Sequence, residues 1–213
     1  MNKHICYILI LAVGLFSCKK DFLEKTPEDR PNANDFYKTE AQFQQALTGA
    51  YASLRGLVAQ SGYLMGEMRS DNTHYDFYAK DRGIHIIRRE NIANFLDDAQ
   101  NQWTNQFYFD AYTGIARVNT IIGRLEGADF DQGAKDAIMG EAKFLRAYYY
   151  FNLVRYYGGV PLYLEEVTRQ EDAFLPRSTV EETYNAIIAD VQEAIGKLAA
   201  PTQFPQSGRA TLG

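Results

Sequence analysis

The chain has 213 residues, with 22 Lys and Arg against 27 Asp and Glu, for a formal charge of −5. Nucleic-acid binders need a basic face to meet phosphate, so this balance argues against that partner. The length suffices for one sizeable core, and with only two Cys in the sequence that core must be held by packing and not by a disulfide framework.

The N-terminus carries the first strong signal. Met1-Asn2-Lys3-His4 is followed by the apolar run Ile5 to Phe16 and then by Ser17-Cys18-Lys19-Lys20-Asp21. A basic start, a short apolar stretch and a small residue at a cut site predict a secretory signal over 1–17. The run is about 18 Å long as a helix, well short of the ~20 residues that span a bilayer. Leu15-Phe16-Ser17-Cys18 resembles a bacterial lipobox, in which the Cys thiol is lipidated and becomes the new N-terminus. Cleavage there removes Lys3 and Cys6, leaving 21 cations against 27 acids. The mature chain then has no second thiol for a disulfide. Two or more acyl chains hold a protein firmly on a membrane surface, so the expectation is a folded body on a lipid tether. Lys19-Lys20-Asp21 resembles the charged stretch that sends such lipoproteins to the cell exterior in Bacteroidetes.

Residues 18–38 are polar and irregular, with Pro27 and Pro31, and read as the tether. Thr39-Glu40-Ala41-Gln42 fits a capping box, and Phe43, Leu47, Ala50, Tyr51, Leu54 and Val58 follow at helical spacing. From about 61 to 99 the period is lost. Glycines at 62, 66 and 83 punctuate clustered charges and aromatics, which predicts a loop-rich excursion, with Ile84 to Ile87 as a short strand. Trp103, Phe107, Ala111, Ile115, Val118, Ile122 and Leu125 then step by three and four, giving a helix from about 100 to 125 that Gly127 is expected to end in the left-handed conformation. A second long helix is predicted over 132–157. Its apolar face is wide enough to pack on two sides: Ile138, Ala142, Leu145, Tyr149, Leu153 and Tyr156, with Ala137, Phe144, Tyr148 and Phe151 beside them. Gly158-Gly159 and Pro161 stop it. After an extended stretch over 160–176, Ser178 and Glu181 read as a second capping box. The stripe Val180, Tyr184, Ile187, Ile188, Val191, Ile195 and Leu198 completes the helix, which Pro201 closes. Gly208-Arg209-Ala210-Thr211-Leu212-Gly213 looks like the approach to a further helix, and the expectation is that the chain is incomplete. No crisp 34-residue period is present, but the helix pairs have the lengths of divergent tetratricopeptide-like hairpins. The predicted fold is all-α, a superhelix of such hairpins with one excursion, over 39–213.

The segment Gly140-Glu141-Ala142-Lys143-Phe144-Leu145-Arg146-Ala147-Tyr148-Tyr149-Tyr150-Phe151-Asn152-Leu153-Val154-Arg155, with Tyr157-Gly158-Gly159-Val160-Pro161-Leu162, closely resembles the signature of the SusD/RagB family. Tyr112 to Asn119, Arg177-Ser178-Thr179 and Gly208 to Thr211 resemble it as well. The resemblance implies an all-α SusD-like body and a surface lipoprotein of the outer membrane. In that family role the protein captures a nutrient, usually a glycan, and sits as a lid on a SusC-like TonB-dependent transporter. Family members are commonly more than twice this length, so the chain resembles their N-terminal portion.

Sugar rings present apolar C–H faces and a rim of hydroxyls, so a binder needs aromatic faces edged by short polar groups. The excursion offers both. Tyr75 and Tyr78 are candidates to stack, and Arg69, Asp71 and Asn72 to read hydroxyls. Against this, Asp71-Asn72 suits a turn and Arg69 a structural ion pair. Asp71, His74 and Asp76 lack the spacing of a known metal site, and neither a metal nor a cofactor is expected. Trp103 and Tyr148 to Phe151 read as packing. Glu165 and Glu166 are neighbours in an extended segment and would point apart, unlike a glycosidase pair; they read as solvated acids. No catalytic pattern emerges. Two readings compete with glycan capture: a structural helical-repeat subunit that touches no ligand, and capture of peptides.

Overall fold

A computed structural model describes residues 36–75, 77, 79–80, 82–200 and 208–212. The signal, the lipidation candidate Cys18 and most of the tether lie outside the described residues, as do Asp76 and Tyr78.

Residues from Tyr37 onward form one body. Helix α1 (Glu40–Gly56) starts at the expected capping box: the Gln42 amide donates to Thr39 Oγ1 at 3.4 Å, and the Thr39 amide to Gln42 Oε1 at 3.1 Å. Its buried residues, Phe43, Leu47 and Ala50, keep the predicted spacing. The chain then stays helical through Arg69, inside the expected excursion, whereas the described residues of 70–83 form no helix. A π turn (Leu57–Gly62) leads into the short α2 (Tyr63–Gly66) and a 3₁₀ turn (Glu67–Arg69). A β-carbon at Gly62 would collide with the Leu57 carbonyl, so the widened turn requires glycine there.

Ile84 to Ile87 is not a strand. These residues open helix α3 (Ile84–Ala93), which buries Ile92 and Ala93. A four-residue apolar run does not separate strand from helix; the downstream burial at helical spacing decided the outcome.

Helices α4 (Gln102–Leu125) and α5 (Gln132–Tyr157) form the central hairpin. They are about 36 and 39 Å long at 1.5 Å per residue. α5 packs against α4 on one side and against α6 (Val180–Ile195) on the other, while α1 lies on α4. This stacking of each helix pair on the next is the tetratricopeptide-like arrangement, and no strand occurs among the described residues. Gly158 ends α5 at φ 73°, a backbone that glycine adopts at low cost. Gly127 does not take the left-handed conformation: α4 ends through Glu126 in right-handed geometry.

The second capping box is displaced by one residue from the expected Ser178–Glu181. Thr179 and Glu182 form it, with bonds of 3.1 and 2.7 Å. α6 buries Thr183, Ile187, Asp190 and Ala194 against α5. Much of its predicted apolar stripe stays uncovered, including Tyr184, Ile188 and Ile195.

Two clusters of charged groups missed by apolar patterning lie inside. Arg146, 3% exposed, grips Asp190 with two 2.7 Å bonds and reaches Asn119 Oδ1 (2.9 Å) and the Leu164 carbonyl (2.6 Å). Glu141, 1% exposed, accepts from Tyr51 at 2.7 Å and twice from Arg209, at 2.7 and 2.8 Å. The first cluster ties the extended segment 160–176 to the hairpin; the second fastens 208–212 across α1 and α5. Glu166 is not a freely solvated acid, since Arg124 binds it at 2.7 and 3.1 Å.

Candidate functional site

The tyrosines of α4 and α5 build the site. Phe107 faces the core, so the next residue, Tyr108, comes to the flank of α4. The last turn of α5 contributes Tyr156 and Tyr157. Phe107 and Tyr156 meet edge to face at 4.9 Å, Tyr108 and Tyr157 at 5.2 Å, and Tyr108 lies 4.6 Å from Tyr112. Edge-to-face pairs hold aromatic rings in fixed orientations. The Tyr157 hydroxyl donates to the Thr104 carbonyl at 2.7 Å, and burial pushes the phenol above its ordinary pKa, keeping it a neutral donor.

Against these rings lies a pocket of about 420 Å³ whose opposite wall is Met65, Arg69, Asp97 and Asp98. Arg69 reaches Asp97 at 2.5 Å and the Ile92 carbonyl at 3.2 Å, and Thr104 donates to the other Asp97 oxygen at 2.7 Å. The guanidinium therefore bridges the 3₁₀ turn to the end of α3 and supports the wall. At the rim, Asp98 and Asn105 are exposed. Asp98 accepts the Gln100 amide at 2.9 Å, and Asn105 donates to the Ala99 carbonyl at 2.6 Å. A cavity this size with aromatic walls and a polar rim accommodates a sugar ring or two.

The candidates from the sequence are not all gathered here. Arg69 lines the pocket, but as half of an ion pair. Asp71 and Asn72 are exposed in a turn, where the Asn72 amide donates to Ser70 Oγ at 3.3 Å. Tyr75 is half-buried beside Arg89. Tyr78 is outside the described residues. Sequence reasoning missed Asp97, Asn105 and Tyr108, because a flanking position on an amphipathic helix carries no distinct periodic signal. Trp103 is half-buried against the core with Arg89 over its ring. Tyr149 and Tyr150 are buried, whereas Tyr148 and Phe151 border a smaller apolar groove of about 220 Å³ between α5 and α6. Another groove, about 310 Å³, runs between α4 and the extended segment at Tyr112, Asn119 and Tyr163. Among the described residues no set of three His, Cys, Asp or Glu side chains is placed to hold a metal, and no helix is long and apolar enough to cross a membrane.

Stacked helical hairpins define a tetratricopeptide-like helical-repeat protein, here with an aromatic pocket at one flank. The SusD-like family model described as "starch-binding associating with outer membrane" matches residues 21–207, and the chain belongs to that family. Its members are carbohydrate-binding proteins associated with the outer membrane in Bacteroidetes. SusD-like protein P38 of Formosa agariphila is 28% identical over 91% of this chain and 37% of its own length. SusD-like protein P2 of the same organism is 29% identical over 91% of this chain and 38% of its own. The chain thus spans less than two fifths of the length of these relatives. Among solved structures, a laminarin-binding SusD-like protein matches with a TM-score of 0.69 and 27% identity, covering 82% of this chain and 38% of that one. Surface glycan-binding protein A from Bacteroides fluxus matches at 0.67 and 25%, covering 82% and 37%.

Proposed function

We propose that this protein is a surface lipoprotein that binds a glycan without altering it and passes it to a SusC-like TonB-dependent transporter of the outer membrane. The observation that carries the reading is the pocket of Tyr108, Tyr156 and Tyr157, rimmed by Asp98 and Asn105. Flat ring faces meet the C–H faces of a sugar, and the rim groups meet its hydroxyls. Arg69 orders the wall. Asp71, Asn72, Tyr75 and Tyr78, on the chain that continues from Arg69, stay proposed as further ligand contacts outside the pocket lining. In this reading 1–17 is the cleaved signal, Cys18 carries the lipid, 18–38 is the tether and 39–213 is the N-terminal part of a SusD-like body facing the exterior. Family membership supports the ligand class, as does likeness to proteins named for laminarin and surface-glycan binding. Binding is non-covalent, and the pocket needs no catalytic group.

Affinity electrophoresis of the full-length protein against a panel of neutral and charged polysaccharides, with peptides titrated in parallel, tests the proposal. Retardation by at least one glycan supports it. Peptide binding alone overturns the glycan assignment in favour of peptide capture. Binding of neither class leaves the structural-subunit reading, to which the exposed face of Tyr184, Ile188 and Ile195 on α6 belongs.

A further inference from the structure

Three guanidiniums of this body hold a carboxylate by their planar edge, and Arg89 offers the same edge with no such partner among the described residues. Arg124, Arg146 and Arg209 each turn the Nε–Nη2 edge onto a carboxylate, with two bonds between 2.7 and 3.1 Å to Glu166, Asp190 and Glu141. That edge is the planar fork that fits two oxygens at once. Among the described residues, Arg89 is engaged only through Nη1, which donates to the Tyr75 hydroxyl at 3.0 Å. Its Nε is buried and has no acceptor among the described residues. The same is true of Nε1 of Trp103, whose ring lies 5.0 Å below the guanidinium carbon. The Tyr75 ring lies 5.9 Å from the same carbon.

Among the described residues, neighbouring acids do not supply the missing oxygens. Glu90, the next residue on α3, is committed to Arg82 at 2.5 and 2.7 Å. Asp97 is committed to Arg69 and Thr104. The result is a cation stacked on one aromatic ring and bonded to the hydroxyl of another, with a second orphaned N–H beside it. Buried donors left without an acceptor are rare in folded proteins and call for an explanation. Trp103 also stands in the first turn of the 24-residue α4, where the helix dipole adds positive potential. Its neighbour Thr104 lines the tyrosine pocket.

We infer that Arg89, with Trp103 and Tyr75, forms a subsite for the oxyanion of an acidic glycan, a uronic-acid carboxylate or a sulfate ester. The inference rests on the glycan-binding reading and narrows it to charged substrates. An oxyanion takes the Nε–Nη2 edge of Arg89, with the indole N–H of Trp103 as a second donor, once these buried groups turn toward it, and the aromatic rings flank the sugar. Tyr75, between the exposed His74 and Phe77, is the neutral acceptor that ligand oxygens replace or supplement.

Isothermal titration of the full-length protein tests this with three oligosaccharide classes: neutral, uronic-acid-containing and sulfated. The expected result is tighter binding of at least one acidic class than of the neutral one. Arg89→Gln should weaken that acidic ligand on the order of ten- to a hundredfold, the value of a charge-assisted bond pair, while leaving any neutral binding unchanged. Trp103→Phe keeps the ring, removes only the N–H, and should cost a smaller part of the same preference. Circular dichroism melts identify a variant that has lost its fold, and for such a variant Arg89→Lys, which keeps the charge and loses the fork, provides the same comparison. Whichever acidic class responds to Arg89 identifies carboxylate or sulfate as the group recognised. Binding of neutral glycans alone, or acidic binding indifferent to Arg89, overturns the inference and leaves the glycan reading standing. Binding of no glycan overturns both.

Discussion

Replacing Arg146 with Met tests the packing argument where the structure commits most to it. Methionine keeps much of the side-chain volume, so the change removes charge and hydrogen bonds more than it opens a cavity. Four bonds disappear: two to Asp190, one to Asn119 and one to the Leu164 carbonyl. Asp190, 4% exposed, is left facing only Lys143, whose Nζ is 3.2 Å away. Removing one partner of a buried ion pair costs about 3–5 kcal/mol, because the other charge stays desolvated. The remaining Lys143 contact places the expected loss near the lower figure, about 3 kcal/mol. For a domain of this size that lowers Tm by roughly 6–12 °C. Urea titration and thermal melts of the single variant and of Arg146→Met with Asp190→Leu give a double-mutant cycle. The double variant should recover most of the loss, since a well-packed apolar pair commonly matches a buried ion pair. A loss below about 1 kcal/mol for Arg146→Met, or a double variant no more stable than the single one, would refute the reasoning.

Gly114 on α4 faces Tyr149 of α5, and a β-carbon there would land inside the Tyr149 ring. That ring is fully buried and its hydroxyl donates to the Ala50 carbonyl at 2.7 Å. Gly114→Ala is therefore expected to destabilise by about 1–3 kcal/mol, despite the better helix propensity of Ala, as read from the urea midpoint. Glu182 tests the cap at α6. The Thr179 amide and hydroxyl hold its carboxyl below the ordinary value of 4.5. With the folded value below the unfolded one, its stabilisation is present above pH 4.5 and fades as pH falls through the lower folded value. Tm should therefore fall less between pH 6 and pH 3 in Glu182→Gln than in the wild type, and equal slopes would show that the cap contributes no such linkage.

The long helices were legible because their apolar residues recur at a single period over many turns: Phe107, Ala111, Ile115 and Val118 on α4 are all buried. Thr39 and Gln42 announced the start of α1 for the same kind of local reason. Illegible features depended on partners far along the chain. Glu141 and Arg146 sit amid apolar neighbours on α5, and only their partners, 68 and 44 residues away, make their burial tolerable. Half of the apolar stripe of α6 is uncovered because hydrophobicity says which residues can be buried, not what is present to bury them. The region after residue 61 was read as loop because its helices are short and interrupted by glycine, which weakens any periodic signal. The candidate pocket was hidden for a related reason. Tyr108 and Asn105 lie on the flank of a core helix, while the polar, aromatic connection after Arg69 carried the more visible signal, and of its described residues only Arg69 reaches the pocket.

Titration calorimetry of the wild type and of Tyr108→Ala/Asn105→Ala with the best-binding glycan tests the central claim most directly. Loss of one stacking face and one hydroxyl-reading amide should weaken binding about tenfold or more, near 1.4 kcal/mol, with the melting transition retained. An affinity unchanged by the double substitution in a folded protein would contradict the placement of the glycan site between α4 and α5.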